Sequence, residues 1–337
     1  MSAGRFLAQD RCDVMKRRAC FSNPSQWWLA LACAAVLGAC GGGSSSTATD
    51  VRYGLVFDVL GADGVARLFR SDLNGQPATP IHGGVPGVRP APHPGGLALA
   101  FAAAEPGDPW SPPILYWLDL TSGQRLLLSS DTAVVELEPN LAPDGKHMIY
   151  TSQRSDPGGD IMLARMEAGR LRDVRNLTPL ATSQSDPDRT PVWSPDGQWI
   201  AFTAYRDGTP AVWVMDAAGG RARRVTAMGN WGDFSPSWSA DGMTLAFHRI
   251  ATDPATGALR ARIGMVPALG GQPVFLNLPY SAYDPRFSPD GNHLAYWAKT
   301  GDGGQIIIAD VNGVTVQRID TPGVDRHPAW IRLQTPR

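Results

Sequence analysis

The chain has 337 residues, 43% of them hydrophobic and 18% charged, with a formal net charge of −1. That balance belongs to globular proteins and offers no basic surface for a nucleic acid. The 37 glycines and 29 prolines point to a turn-rich, all-β fold.

The N-terminus reads as an export signal. Lys16, Arg17 and Arg18 form a cationic cluster, Trp27 to Ala39 an apolar stretch, and Leu37-Gly38-Ala39-Cys40 a small-residue cleavage site. The apolar run is too short to span a bilayer comfortably. Met15, just before the basic cluster, reads as the true start. Leu-Gly-Ala-Cys resembles the lipobox of bacterial lipoproteins, which implies cleavage before Cys40 and lipidation of its thiol. Gly41 stands where inner-membrane lipoproteins of Gram-negative bacteria carry aspartate, which implies anchoring on the periplasmic side of the outer membrane. Glycines 41–43 and serines 44–46 form a flexible tether. All four cysteines, Cys12, Cys20, Cys33 and Cys40, fall in this segment, so the body holds neither a disulfide nor a cysteine-based metal site. Without residues 1–39 the chain keeps 25 basic and 29 acidic groups.

The body repeats. A proline stands eleven residues before an aromatic five times: Pro90 and Phe101, Pro139 and Tyr150, Pro191 and Phe202, Pro236 and Phe247, Pro285 and Tyr296. Between them lie the turns Pro143-Asp144-Gly145, Pro195-Asp196-Gly197, Ala240-Asp241-Gly242 and Pro289-Asp290-Gly291, with Pro94-Gly95-Gly96 as a degraded copy. The aromatics are 49, 52, 45 and 49 residues apart, the length of a propeller blade.

Residues 188–226 show one unit whole. Strands are predicted at Asp188–Trp193, Trp199–Ala204, Ala211–Asp216 and Arg223–Thr226, separated by Gly-containing turns. Four antiparallel strands in such a span make a blade. Third strands recur at Leu115–Asp119, Ile161–Met166, Ile263–Val266 and Ile306–Asp310. A small or apolar residue precedes each aromatic, so neighbouring blades can approach while the ring fills the gap. At the start, Leu55–Phe57, Arg67–Asp72 and Thr79–His82 supply a second, third and fourth strand without a first. Asp325 to Trp330 supplies a lone first strand. Joined, they complete a six-bladed β-propeller, closed by its own two ends. The domains are therefore a signal peptide (1–39), a tether (40–50), a propeller (51–332) and a tail (333–337).

The pattern Trp-Ser-Pro-Asp-Gly-x-x-Ile-Ala-Phe, starting at Trp193, resembles the PD40 (WD40-like) repeats of TolB-type β-propellers, and the resemblance covers residues 51–332. TolB proper is soluble in the periplasm and has an α/β domain ahead of its propeller. Here a signal and tether take that place, so the resemblance implies the fold and not TolB's own role.

Three residues before the repeat proline stand Glu136, Asp188, Asp233 and Asp325, while blade five has Ala282 there and Asp284 beside its proline. The loops after strand two open with Arg154, Arg206, Arg249 and Lys299. These charges are predicted to ring one mouth of the channel, as ion pairs between blades and turn caps or as a polar funnel. Non-repeating loops are better placed to confer specificity, above all Glu105–Pro113 with its single large aromatic, Trp110, and then Arg154–Asp160 and Ile250–Leu259. No Gly-x-Ser-x-Gly, His-Glu-x-x-His or phosphate-loop motif occurs. The expectation is a monomeric, non-catalytic envelope lipoprotein that binds a protein partner, with no cofactor, metal or nucleic acid. The alternative is a carbohydrate-active enzyme using channel-lining His, Arg and Asp, which requires several of His82, His93, His248 and His327 to converge.

Overall fold

The computed structural model describes residues 51–334 except 109, 168, 180–186, 207, 255 and 302. The signal peptide, Met15, Cys40 and the tether lie outside the described residues.

Among the described residues, twenty-four strands form six four-stranded antiparallel sheets. Blade 1 is β4 (Val88–Pro92), β5 (Ala98–Ala103), β6 (Ile114–Asp119) and β7 (Arg125–Leu127). Blade 2 is β8 (Glu136–Leu141), β9 (His147–Ser152), β10 (Asp160–Glu167) and β11 (Arg170–Asn176). Blade 3 is β12 (Asp188–Trp193), β13 (Trp199–Ala204), β14 (Ala211–Asp216) and β15 (Arg223–Arg224). Blade 4 is β16 (Gly232–Trp238), β17 (Thr244–Thr252), β18 (Leu259–Pro267) and β19 (Val274–Phe275), and blade 5 is β20 (Ser281–Phe287), β21 (His293–Thr300), β22 (Gly303–Asp310) and β23 (Thr315–Ile319). Blade 6 is composite: β24 (Val324–Arg332) pairs with β1 (Tyr53–Leu60), followed by β2 (Ala66–Ser71) and β3 (Thr79–Pro80). Leu55 stands opposite Trp330, and the Leu333 amide reaches the Arg52 carbonyl at 2.8 Å.

The core explains the repeat. Six hydrophobic clusters each join two neighbouring blades. In each, the aromatic of one blade meets the residue that precedes the aromatic of the blade before: Tyr150 with Ala100, Phe247 with Ala201, Tyr296 with Ala246, Phe57 with Ala295. Phe57, Phe101, Phe202, Phe247 and Tyr296 are completely buried. A ring of that size contributes roughly 1.5–3 kcal/mol on burial; its partner is an alanine in four clusters, and Val56 and Ile149 in the other two.

The Asp-Gly turns close the first strand onto the second. In blade 3 the Gly197 amide donates to Ser194 O at 2.9 Å, and Gly197 takes φ 69°, open to glycine at little cost. First strands thus run from an upper face, bearing the loops after strand two, to a lower face bearing these turns.

Candidate functional site

The residue before each repeat proline has positive φ: Arg89, Glu138, Thr190, Ser235, Asp284 and His327 lie between 49° and 57°. At the same place every first strand slips register against the second. The cause is local. Proline excludes its predecessor from the right-handed helical region and brings no N–H to the ladder, so the strand bulges. A bulge leaves the preceding N–H without a ladder partner, and side chains supply one. Arg89 N donates to Asp58 Oδ1 (3.0 Å), Thr190 N to Glu138 Oε2 (2.6 Å), Ser235 N to Thr203 Oγ1 (3.1 Å) and Asp284 N to His248 Nδ1 (3.2 Å). Each of these four bonds crosses from one blade to the next, and Arg89 beside Glu138 and His327 beside Asp284 complete a polar ring through the six bulges.

The ring separates two cavities that share Arg89, Glu138 and Thr190. The upper cavity, about 300 Å3, is bounded on one side by a continuous arc of rings. Tyr205 meets Phe234 at 6.3 Å, Phe234 stacks on His248 at 5.4 Å, His248 meets Tyr283 at 5.4 Å, and Tyr283 lies 4.6 Å from Trp297. Gly304 is required here, because a Cβ on it would lie 1.8 Å from Trp297 Nε1. The opposite side is polar, with Arg89 Nη1 3.3 Å from Glu138 Oε1.

Asp284, His248 and His327 form the titratable part of the ring. Burial opposes ionisation of Asp284, but His327, His248, Arg89 and Arg286 outweigh it and hold the carboxyl well below the usual range. Burial pushes His248 toward its neutral form, in keeping with its Nδ1 accepting a bond. His327 Nδ1 lies 2.8 Å from Asp58 Oδ1, and its Nε2 lies 3.9 Å from Asp284. Of the four histidines whose convergence the enzymatic alternative requires, only these two come together. His82 Nε2 sits on Leu120 O and His93 Nε2 on Gly145 O. Among the described residues no group of three His, Cys, Asp or Glu is placed to hold a metal ion.

The recurrent acids lie elsewhere. Asp188 is fully buried and takes Arg206 Nε and Nη2 at 3.3 and 2.7 Å. Asp233, also fully buried, takes Arg249 Nε and Nη2 at 2.6 and 2.8 Å. Both pairs stay within one blade, joining a first strand to the loop after the second strand (Arg206) or to the second strand itself (Arg249), not one blade to another as expected. Glu136 accepts from Ser129 Oγ at 2.6 Å and its pKa is raised by burial, while Arg154 pairs with Asp131 at 3.3 Å. Asp325 accepts from the Thr321 hydroxyl and, at 3.4 Å, from Ile306 N. Lys299 is exposed and shows no ion pair among the described residues. Trp110 is 93% exposed on the upper face. Asp188 and Asp233 are thus turned into their own blades, Asp325 reaches Ile306 of blade 5, Glu136 reaches Ser129, which bonds Leu115 of blade 1, and the channel is lined by the position two residues later. The signal for that position was the proline itself.

Burial raises the Asp325 carboxyl to about 6 from an ordinary 3.8. The folded chain therefore holds this proton more tightly than the unfolded chain. The stabilisation is complete below about pH 3 and is lost as pH rises through about 6. Relative to an Asp325→Asn variant, the wild-type chain is expected to lose about 2 kcal/mol between pH 4 and pH 7 in urea unfolding. An unchanged difference across that window would show a hydrated carboxyl.

Six sheets around an axial polar ring define the class, a six-bladed β-propeller. The chain belongs to the TolB beta propeller domain family (PD40), which matches residues 67–265. The Tol-Pal system protein TolB of Anaeromyxobacter dehalogenans is 32% identical over 146 residues, 43% of this chain and 30% of that protein. Tricorn protease homolog 1 of Streptomyces coelicolor is 29% identical over 204 residues, 56% of this chain and 17% of that protein. The chain thus spans less than a third of these two relatives. The crystal structure of TolB from Acinetobacter baumannii has a TM-score of 0.63 at 23% identity, over 83% of this chain and 66% of that one, a likeness of fold.

Proposed function

We propose that this chain is a lipid-anchored envelope protein whose propeller binds a segment of a protein partner at its upper face, without catalysing a reaction. The observation that carries the reading is the upper face itself. The aromatic arc and polar ring form a cavity on the axis, and the surrounding loops carry Trp110, Met228 and Leu259 at 93%, 65% and 74% exposure. A hydrophobic rim around a partly charged pocket suits a peptide segment that anchors one side chain. The TolB-like fold supports a protein partner in general terms, and the separation of His82 and His93 from the channel favours this reading over the enzymatic one. The anchor rests on Leu37 to Cys40, and Gly41 supports the outer membrane.

A photoreactive residue at Trp110 or Tyr205 is expected to give a specific adduct in cells, and one at Met243 on the lower face none. Trp110→Ala should weaken the Tyr205 adduct at least fivefold. Palmitate labelling is expected for the wild type and lost in Cys40→Ser. Absence of adducts at both upper positions, or an equal adduct at Met243, would remove the binding reading.

A further inference from the structure

The lower cavity, about 290 Å3, is walled by Trp193, Trp238, Phe287 and Trp330 and by the prolines of three turns. One charge in it does not follow the repeat. The position after the repeat proline is Ala91, Asn140, Val192, Ser237, Arg286 and Ala329 around the six blades. Asn140 and Ser237 are occupied between blades: Asn140 Oδ1 accepts from Trp193 N at 2.9 Å and Ser237 Oγ from Phe287 N at 3.0 Å. Arg286 faces the channel. Its Nη1 donates to Pro236 O at 3.3 Å and Pro285 O at 3.1 Å. Its Nε and Nη2 have no partner among the described residues, and neither is sealed from the cavity.

That free edge has a known use in this same molecule. Arg206 and Arg249 each present Nε and Nη2 together to a carboxylate, Asp188 and Asp233. The planar fork matches the two oxygens of a carboxylate. Arg286 offers the same edge with no carboxylate in place. Glu138 is engaged by Arg89, Thr151 and Thr190, and Asp284 lines the cavity on the other side of the ring. Burial opposes the charge on Arg286; the Asp284 and Glu138 carboxylates favour it from a distance, while Arg89 adds a second positive field beside it. Trp238 and Trp330 donate Nε1 to Val192 O and Arg286 O of the preceding blades, whereas Trp193 Nε1 is buried with no acceptor among the described residues.

We propose that the lower cavity is a second binding site, for a carboxylate carried on an apolar or aromatic peptide residue, with Arg286 as its anchor and the tryptophan-proline collar around the ligand's body. The volume suits this class, since a cavity of about 150 Å3 takes one benzene. The carboxylate is either the free end of a chain or an acidic side chain within one.

The test titrates the protein with N-acetyl-glycyl-phenylalanine as free acid and as amide, with N-acetyl-aspartyl-phenylalanine amide, and with inorganic phosphate. Binding is followed by calorimetry and by the fluorescence of the collar tryptophans. The free acid or the aspartyl amide is expected to bind below millimolar, at least tenfold more tightly than the glycyl amide. Which of the two binds identifies the source of the carboxylate. Arg286→Gln should remove that tenfold preference, and Arg286→Lys should restore part of it. If Arg286→Gln does not fold, the acid-to-amide ratio on the wild type still decides. Glycyl amide binding as tightly as the better of the two carboxylates, no binding of either carboxylate at 10 mM, or phosphate binding as tightly as that carboxylate would overturn the proposal. Loss of adducts at Trp110 would not touch it, because that readout belongs to the other face.

Discussion

Asp233→Ala is expected to lower unfolding stability by about 3–5 kcal/mol, a fall in melting temperature on the order of 10 °C for a domain of this size. The carboxylate is fully buried and Arg249 is 8% exposed, so the surviving guanidinium would stay out of water without a counter-charge. It could not swing out cheaply. It lies over Trp231 at 4.2 Å and Phe275 at 5.0 Å, contacts that hold it in place. The loss therefore reflects an unpaired buried charge more than the strength of the pair. The double variant Asp233→Ala with Arg249→Met should recover most of the loss, because neither charge remains to be desolvated. The exposed pair Arg165–Asp173, with side chains 43% and 73% exposed, is the control, and its removal should leave the midpoint unchanged. Thermal unfolding of the four proteins separates these cases. A single variant that melts with the wild type would mean that water reaches the pair.

The same contrast explains how far the site could be read from the chain. Blade 3 was legible almost to the residue, because its Pro191–Phe202 spacing and Pro-Asp-Gly turn constrain both inner strands, and Asp188–Trp193, Trp199–Ala204 and Ala211–Asp216 occur as expected. The outermost strands are shorter than expected. β15 stops at Arg224, and β3 stops at Pro80, after which His82 at φ 45° turns into a 3-10 segment. An outer strand has one neighbour and little apolar surface to bury, so its pattern is weak.

At the site, Glu136, Asp188, Asp233 and Asp325 were visible because they share a charge. Which way they face was not, since that depends on arginines that fold back onto Asp188 and Asp233 from the following strand or the loop after it. The residues that line the axis share no chemistry. Arg89, Glu138, Thr190, Ser235, Asp284 and His327 have only their place before a proline in common, so a search by residue type passes over them. Arg286 was invisible for a further reason: its meaning comes from the five neutral residues at the same position in the other blades.

Removing β24 should have the largest effect of all. A chain ending at Pro322 is expected to be insoluble, or to show no cooperative thermal transition. β1 would keep one neighbour and lose the other, leaving an eight-residue strand whose middle six residues are buried in the intact fold as an open edge. The truncation also removes Asp325, His327 and Ile331, and with them one sixth of the polar ring. A circular permutant separates loss of the strand from loss of chain continuity. Because Leu333 N bonds Arg52 O at 2.8 Å, a short Gly-Ser link from Gln334 to Val51 needs little rearrangement. New ends between Thr132 and Ala133 fall in the connection between blades 1 and 2, so every blade stays whole. That permutant should be soluble and fold cooperatively, but with a lower midpoint than the parent. Its ring would be closed only by side chains such as Ala100 and Tyr150 meeting across the gap, without a strand shared by both ends. A truncated chain that melts like the parent, or a permutant as insoluble as the truncation, would mean that the composite blade is not what closes the ring.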